Sequence, residues 1–433
     1  RKNLEAAEEQ LEKEESRSAA EELRALVANA PLVICQKGEL SPISKVYDPR
    51  VEIIQKVLGD NASLPDLIIY KQGERQWLEF FEKLGMAKSP RAGDLLKYLD
   101  SLISEAEIIG ADTVSQRIMA IYDHLRENWE ELSRQEVIDG YITYTLQSAL
   151  YQRAWLPARR FEENLGQFPG YFIPENRLYK SSELHMPRNG HLIASQCPIA
   201  LITTEPQAKI RDGLGFPDQP APDDVVKHLK VLLEKWNAPD HASMKEAEVE
   251  TSLRLIYEFI GDQYKNDQIT PFVERLRTEF ETISCIWDFL DKSKVGKKFW
   301  KARHTFKESI PYLVPFRIRI SHRSEREGRG FDALGRQDSP LIVDYMDLLK
   351  DLLAMFSGQP IDSTIAETVI FALDQISSTS DADEDFSELP VLTRDGCVVK
   401  SCEVYDFDAP WWEGKITSNQ IYLLDNRVPV KIR

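Results

Sequence analysis

Long apolar runs are missing from this sequence: no stretch of eighteen apolar residues exists, and the first thirty residues are charged throughout. A membrane-spanning helix and a secretory signal are therefore not expected. Cysteine is sparse and odd in number, with Cys35, Cys197, Cys285, Cys397 and Cys402 scattered along the chain. Such spacing builds neither a disulfide framework nor a zinc site, and it fits a reducing, cytoplasmic compartment. Only a local Cys397–Cys402 pair, five apart near a Gly turn, stays open. Positive charge is short, since 54 Lys and Arg face 71 Asp and Glu for a net charge of −17. That balance argues against a surface built to neutralise phosphate. Two local basic runs remain, Lys292 to Arg303 and Arg317 to Arg329, each readable as a solvated face. No phosphate-cradling Walker loop, GxGxxG fingerprint, zinc-protease helix or nucleophile elbow is present.

What the chain does have is a recurring element. Phe80-Phe81-Glu82-Lys83-Leu84-Gly85 reads as a helix end with a left-handed glycine just past it. Pro90 then opens a second helix, whose Leu95, Leu96 and Leu99 form an apolar stripe. The pattern returns at Leu214-Gly215 and Leu334-Gly335, 130 and 120 residues on. Behind the first two, Ile121-Tyr122 and Ile256-Tyr257 mark later helices. Ile121, Tyr122, Leu125, Trp129 and Leu132 fall on one side of theirs.

Ahead of each Leu-Gly element, and once more after the last of them, lies a short hairpin and polar-turn section. The first has Leu32 to Cys35, a Lys37-Gly38 turn and the string KVYDPR at 45–50, followed by a helix through Ile53, Ile54, Val57 and Leu58. The second is RLYKSSELHMPRNGHL from Arg177 to Leu192, with the apolar run Ile199 to Ile202 after it. The third includes KKFWKARHTF and the alternating strand Phe316 to Ile320. The fourth is LPVLTRDGCVVKSCEVYDFDAPWW from Leu389 to Trp412, where Asp395-Gly396 signals a hairpin. Ser377 to Glu388 reads as an acidic flexible loop.

These signals predict a mixed α+β chain with helix exceeding strand. It is an elongated array of about three divergent modules of 110 to 130 residues, each a small sheet with packed helices. The boundaries are 1–29 (charged helix or linker), 30–150, 151–282, 283–388 and a partial fourth module at 389–433. Beginning at Arg1 without Met, the chain is expected to be a piece of something longer.

Chemistry is harder to find. His185 and His191 flank a Pro-Arg-Asn-Gly turn without a cysteine or carboxylate at ligand spacing, so a turn role outweighs a metal site. His124 and His228 sit beside apolar stripes on helices. Glu403, Asp406 and Asp408 could do acid–base work, but a solvated turn is the simpler reading. Trp411 and Trp412 adjoin Pro410 in an extended segment, where successive side chains face opposite ways, so one indole could anchor a partner, although packing of both against the module in front is the simpler reading.

Taken in order, the strings KVYDPR, KSSELHMPR, KHLKVLL (227–233), the FW pair at 299–300, IYDHL, IYEFI and PVLTRDG…VYDFDAPW resemble sacsin-type proteins over residues 31 to 412. These are large proteins with an ATPase domain similar to that of heat shock protein 90, followed by long repeated regions. The resemblance implies that the ATP site lies in a separate domain, with no cofactor in this region. Consistently, no nucleotide-binding Asp-Gly-x-Gly pattern is expected, with the Asp-Gly sequences at 212 and 395 read as lacking it. Animal members are associated with chaperone-like work, and bacterial relatives are multidomain ATPases linked to defence.

The first expectation is a non-catalytic region that binds protein clients or couples to other domains of its parent, with no membrane contact. Its partner-binding residues would be Trp411, Trp412, Lys297, Lys298 and Arg303. The alternative is a nucleic-acid-contacting region of an ATPase in DNA processing or anti-phage defence, working through the basic runs. A hydrolase at the carboxylates near Asp406 is the third expectation.

Overall fold

The computed structural model describes residues 19–139, 142–160, 168–239, 245–264, 269–289, 298–314, 316–356, 358–379, 386–406 and 422–432. The chain is mixed α and β, with 53% helix against 14% strand. Strand occurs as two-stranded sheets, seven of them among the described residues. The chain divides into two compact units, Arg1–Leu165 with Tyr171–Asp224, and Gly166–Gly170 with Val225–Arg433.

In the first unit a large core gathers around Leu95, Leu99, Ile121, Tyr122, Trp155 and Leu214. The helices Ala92–Ile109 and Ala111–Glu127 supply its centre, and the stripe of Leu95, Leu96 and Leu99 is buried as the spacing predicts. All five residues from Ile121 to Leu132 named above are buried too. A smaller core sits under the hairpin Pro31–Ile34/Leu40–Pro42, where Val33, Ile43 and Val46 meet Leu78 and Phe81 of the Glu74–Lys83 helix. The second unit packs the helices Ile342–Phe356 and Ser363–Thr379 against the hairpin Pro390–Leu392/Val398–Lys400.

One local geometry occurs at four places. A strand pair leads into a 3₁₀ turn at Ile43–Lys45, Ser181–Glu183, Ala302–His304 and Ser401–Glu403. The residue before each turn is extended, with ψ between 139° and 149°. After each turn the chain is joined by hydrogen bonds to a segment further on. Tyr47 N–H donates to Ser63 O at 2.9 Å, and His185 pairs in parallel with Ile199. Thr305–Phe306 runs parallel to Ile318–Arg319, and Val404–Tyr405 to Tyr422–Leu423.

The helix stop is likewise the same three times. Gly85, Gly215 and Gly335 have φ of +102°, +79° and +107°, values that side chains disfavour. Each donates to the carbonyl three residues back, and the next residue donates five back: Met86 to Phe81, Phe216 to Arg211 and Arg336 to Phe331, at 2.9–3.0 Å. These two bonds satisfy carbonyls that the helix end would orphan.

Three local expectations need correction. The section at Arg177 is not a local hairpin: Leu178–Tyr179 pairs with Leu156–Pro157. Gly190 has helical φ of −56°, so no left-handed residue closes a tight turn there. Alternation over Phe316 to Ile320 fails at Arg317, which is buried because its guanidinium reaches Asp351 at 3.1 Å. Ser377 to Thr379 end a helix instead of starting a loop, and the Ser378 and Thr379 hydroxyls donate to the Gln375 carbonyl.

Candidate protein-interaction surface

The segment from Asp66 to Lys83 turns an apolar surface outward. Asp66 starts it: its side chain accepts from Ile68 N–H at 3.0 Å, and its carbonyl accepts from Ile69 and Tyr70 N–H. That turn points Ile68 and Ile69 into solvent, 84% and 53% exposed. Tyr70 goes inward, and its hydroxyl accepts from Ile34 N–H at 3.0 Å. Gly73, at φ +83°, then begins the Glu74–Lys83 helix.

This helix is apolar on two faces. Leu78 and Phe81 enter the small core, while Trp77 and Phe80 stay 42% and 48% exposed. The rings form a continuous set, with Tyr70 to Trp77 centroids at 5.5 Å, Trp77 to Phe81 at 5.8 Å and Trp77 to Phe80 at 6.2 Å. Ring packing holds the Trp77 indole in place, so its open side is presented without a large further entropy cost on binding. The sequence carried a signal for this surface: Trp77, Leu78, Phe80 and Phe81 span an arc too wide for one buried stripe.

The residues singled out by sequence are placed differently. Trp411, Trp412, Lys297 and Asp408 lie outside the described residues. Lys298 pairs with Glu246 at 3.0 Å and stands 5.9 Å over the Trp287 ring. Arg303 pairs with Asp347 at 3.3 Å. In the Arg317–Arg329 run, Arg326 reaches Glu258 and Asp262, and Arg329 reaches Glu325 and Asp262. These cations are held by carboxylates of their own unit. Glu403 and Asp406 are exposed.

His124 is buried on the Ala111–Glu127 helix, and burial holds its pKa below the ordinary histidine value. Burial lowers His185 and His191 in the same way. The structure brings His185 near Asp224, which also lies 3.8 Å from the Cys197 sulfur. Among the described residues, no group of three or more His, Cys, Asp or Glu is placed to hold a metal ion.

Asp212-Gly213-Leu214-Gly215 does spell Asp-Gly-x-Gly, but it ends the Ala208–Leu214 helix. Its Gly215 N–H is spent on the Asp212 carbonyl, and a Cβ on Gly213 would stand 2.7 Å from the Trp129 ring. No cradle for a phosphate exists there. A cleft of about 510 Å³ in the second unit is lined by Arg277, Lys307, Arg336, Asp332 and Asp338. Its cations are engaged: Arg277 donates to the Asp332 and Ala333 carbonyls, Lys307 pairs with Asp332 and Asp338, and Arg336 pairs with Asp332.

The resemblance-bearing strings have structural work of their own. Asp48 of KVYDPR is buried and receives a two-pronged bond from Arg50, which also pairs with Glu82 on the Leu-Gly helix at 2.8 Å. Burial works against the Asp48 carboxylate, but the Arg50 hydrogen bonds hold it below the usual range. Arg188 of KSSELHMPR ties to Asp218 at 2.8 Å, just after its own Leu-Gly pair. No family model, curated protein or solved structure matches the chain. No helix among the described residues is long and apolar enough to cross a membrane.

Proposed function

We propose that this chain is a non-catalytic protein-binding and coupling region of a large sacsin-like ATPase with chaperone-like activity. The ATP site would lie in a separate domain, and the work would be done inside the cell. The observation that carries the reading is the exposed Ile68, Ile69, Trp77 and Phe80 surface, since clustered exposed apolar side chains mark protein contact sites and Trp is enriched among hot spots. The ordered strings from KVYDPR to VYDFDAPW support the family part of the proposal. A nucleic-acid role has less support, because Lys298, Arg303, Arg317, Arg326 and Arg329 are each engaged by a carboxylate.

Capture from a cell lysate at low and moderate salt tests the proposal. Protein retained at moderate salt by the wild type, and lost with Trp77→Ala or Phe80→Lys, is the expected result. Retention of nucleic acid alone, released by salt, would overturn it. So would ATP turnover by the isolated chain above a blank.

A further inference from the structure

We infer that the Trp77–Phe80 face is the docking site for an amphipathic α-helix of a partner, laid across the Glu74–Lys83 helix. The inference rests on the protein-binding role proposed for this face and specifies its occupant.

Matched positions on the Leu-Gly helices differ in what lies against them. Counting back from each Leu-Gly pair, Phe80 holds the place of Gly330, Trp77 that of Glu327, and Phe81 that of Phe331. Phe81 and Phe331 are both buried, so the two helices turn the same face to their own cores. Their second faces differ. On the Glu325–Leu334 helix that face is covered by the Glu246–Gln263 helix. The covering helix approaches so closely that a Cβ on Gly330 would collide with the Tyr257 carbonyl oxygen, and one on Gly261 would stand 2.9 Å from Gly330 N. Glu327 is buried there and meets Arg254 at 3.4 Å. The Tyr257 ring stands edge-on to Phe331 with centroids 4.9 Å apart.

The Ala208–Leu214 helix is covered at one matched place only, since Gln207, in the place of Trp77, is exposed. Ile210, in the place of Phe80, is buried. Gly213 packs on Trp129, and the Leu146–Gln152 helix lies alongside. In both cases helical residues do the covering. A helix suits the place because its backbone groups are satisfied internally and it needs only side-chain contact.

The two exposed rings also set the occupant's chemistry. Where Gly330 admits backbone contact, Phe80 and Trp77 are knobs that hold a partner helix further off. The occupant therefore needs an apolar stripe with small residues opposite the two rings and larger aliphatic residues around them, at the 8–10 Å axial spacing of ordinary helix packing.

Two synthetic 18-residue peptides of one composition (Leu, Ala, Lys, Glu) test this against the whole chain by fluorescence anisotropy. One places Leu and Ala at helical spacing, the other in strict alternation. The helical-period peptide should bind about tenfold tighter than the alternating one, and Phe80→Lys or Trp77→Ala should each weaken it about tenfold or more. Ile109→Lys, at an exposed apolar position elsewhere in the unit, should leave binding unchanged. An unchanged melting curve for Phe80→Lys shows that lost binding is not lost folding. Equal binding of the two peptides, or full binding by Phe80→Lys, would overturn the inference. A preference for the alternating peptide that Phe80→Lys abolishes would overturn the helix and leave the protein-binding role standing. Failure of both peptides, with no protein retained in the salt-resolved capture, would overturn both. Two further outcomes would also overturn it. Binding that emerges only after removal of residues 1–18 would assign the face to the chain's own segment. Self-association lost with Phe80→Lys would assign it to a second copy.

Discussion

The Glu74–Lys83 and Glu325–Leu334 helices stop in the same way but are finished on the outside by opposite means. The third-motif helix carries Gly330 and buried Glu327 where another helix presses down, and the first carries Phe80 and Trp77 in the open. The stop is a backbone requirement, met wherever a glycine takes positive φ, so it recurs unchanged. The outer face depends on what lies against it, so it diverges. Conformational rules and contact rules thus act on separate positions of one short helix.

Substitutions at the matched positions should separate the two helices sharply. Gly330→Val should cost about 3 kcal/mol or more, read by urea unfolding, because neither backbone at the crossing can yield to a new side chain. A cost below 1 kcal/mol would mean that the crossing is looser than described. Glu327→Ala comes next, at about 3 kcal/mol, since it strips Arg254 and the Arg323 N–H of their buried acceptor. At the matching place in the first helix, Trp77→Ala should cost only about 1 kcal/mol, through lost ring contacts with Tyr70 and Phe81. Phe80→Lys should change stability by no more than about 0.5 kcal/mol while weakening partner binding about tenfold or more. A large destabilisation there would make Phe80 a core residue and end the comparison.

The two motifs should also respond to opposite ends of the pH scale. Asp48 and Lys307 hold the same place, each donating its N–H to the residue two past the Leu-Gly glycine. The Asp48 carboxyl is held below its ordinary value, so its stabilisation is present above the unfolded value of about 4 and lost as pH falls through the folded one. Lys307 is raised by Asp338 and Asp332, so its smaller contribution is present below about pH 10 and lost as pH rises further. Asp48→Asn should flatten the acid limb of a stability profile, and an unchanged limb would remove Asp48 as its source.

Much of this fold was legible as local rules. The glycine stops, the Asp395-Gly396 hairpin and the stripes at Leu95 and Ile121 all follow from residue spacing. Pairings between distant segments were not legible, because Leu156–Pro157 with Leu178–Tyr179 is set by tertiary packing and leaves no local pattern. Arg317 misled the strand reading, since a charged residue in an alternating run signals solvent until its partner Asp351 is known. The candidate surface was hidden for a related reason. Apolar spacing marks Trp77 and Phe80 as helical, and only the packing tells which of two apolar faces is left uncovered.

Photo-cross-linking from position 80 tests the central claim most directly. With benzoylphenylalanine replacing Phe80 in the cells that make the protein, the account predicts a defined protein adduct whose attachment point falls in a helical segment. The same probe at Ile109 should give none. Equal labelling from the two positions, or none from position 80, would contradict the claim that this face is where a partner binds.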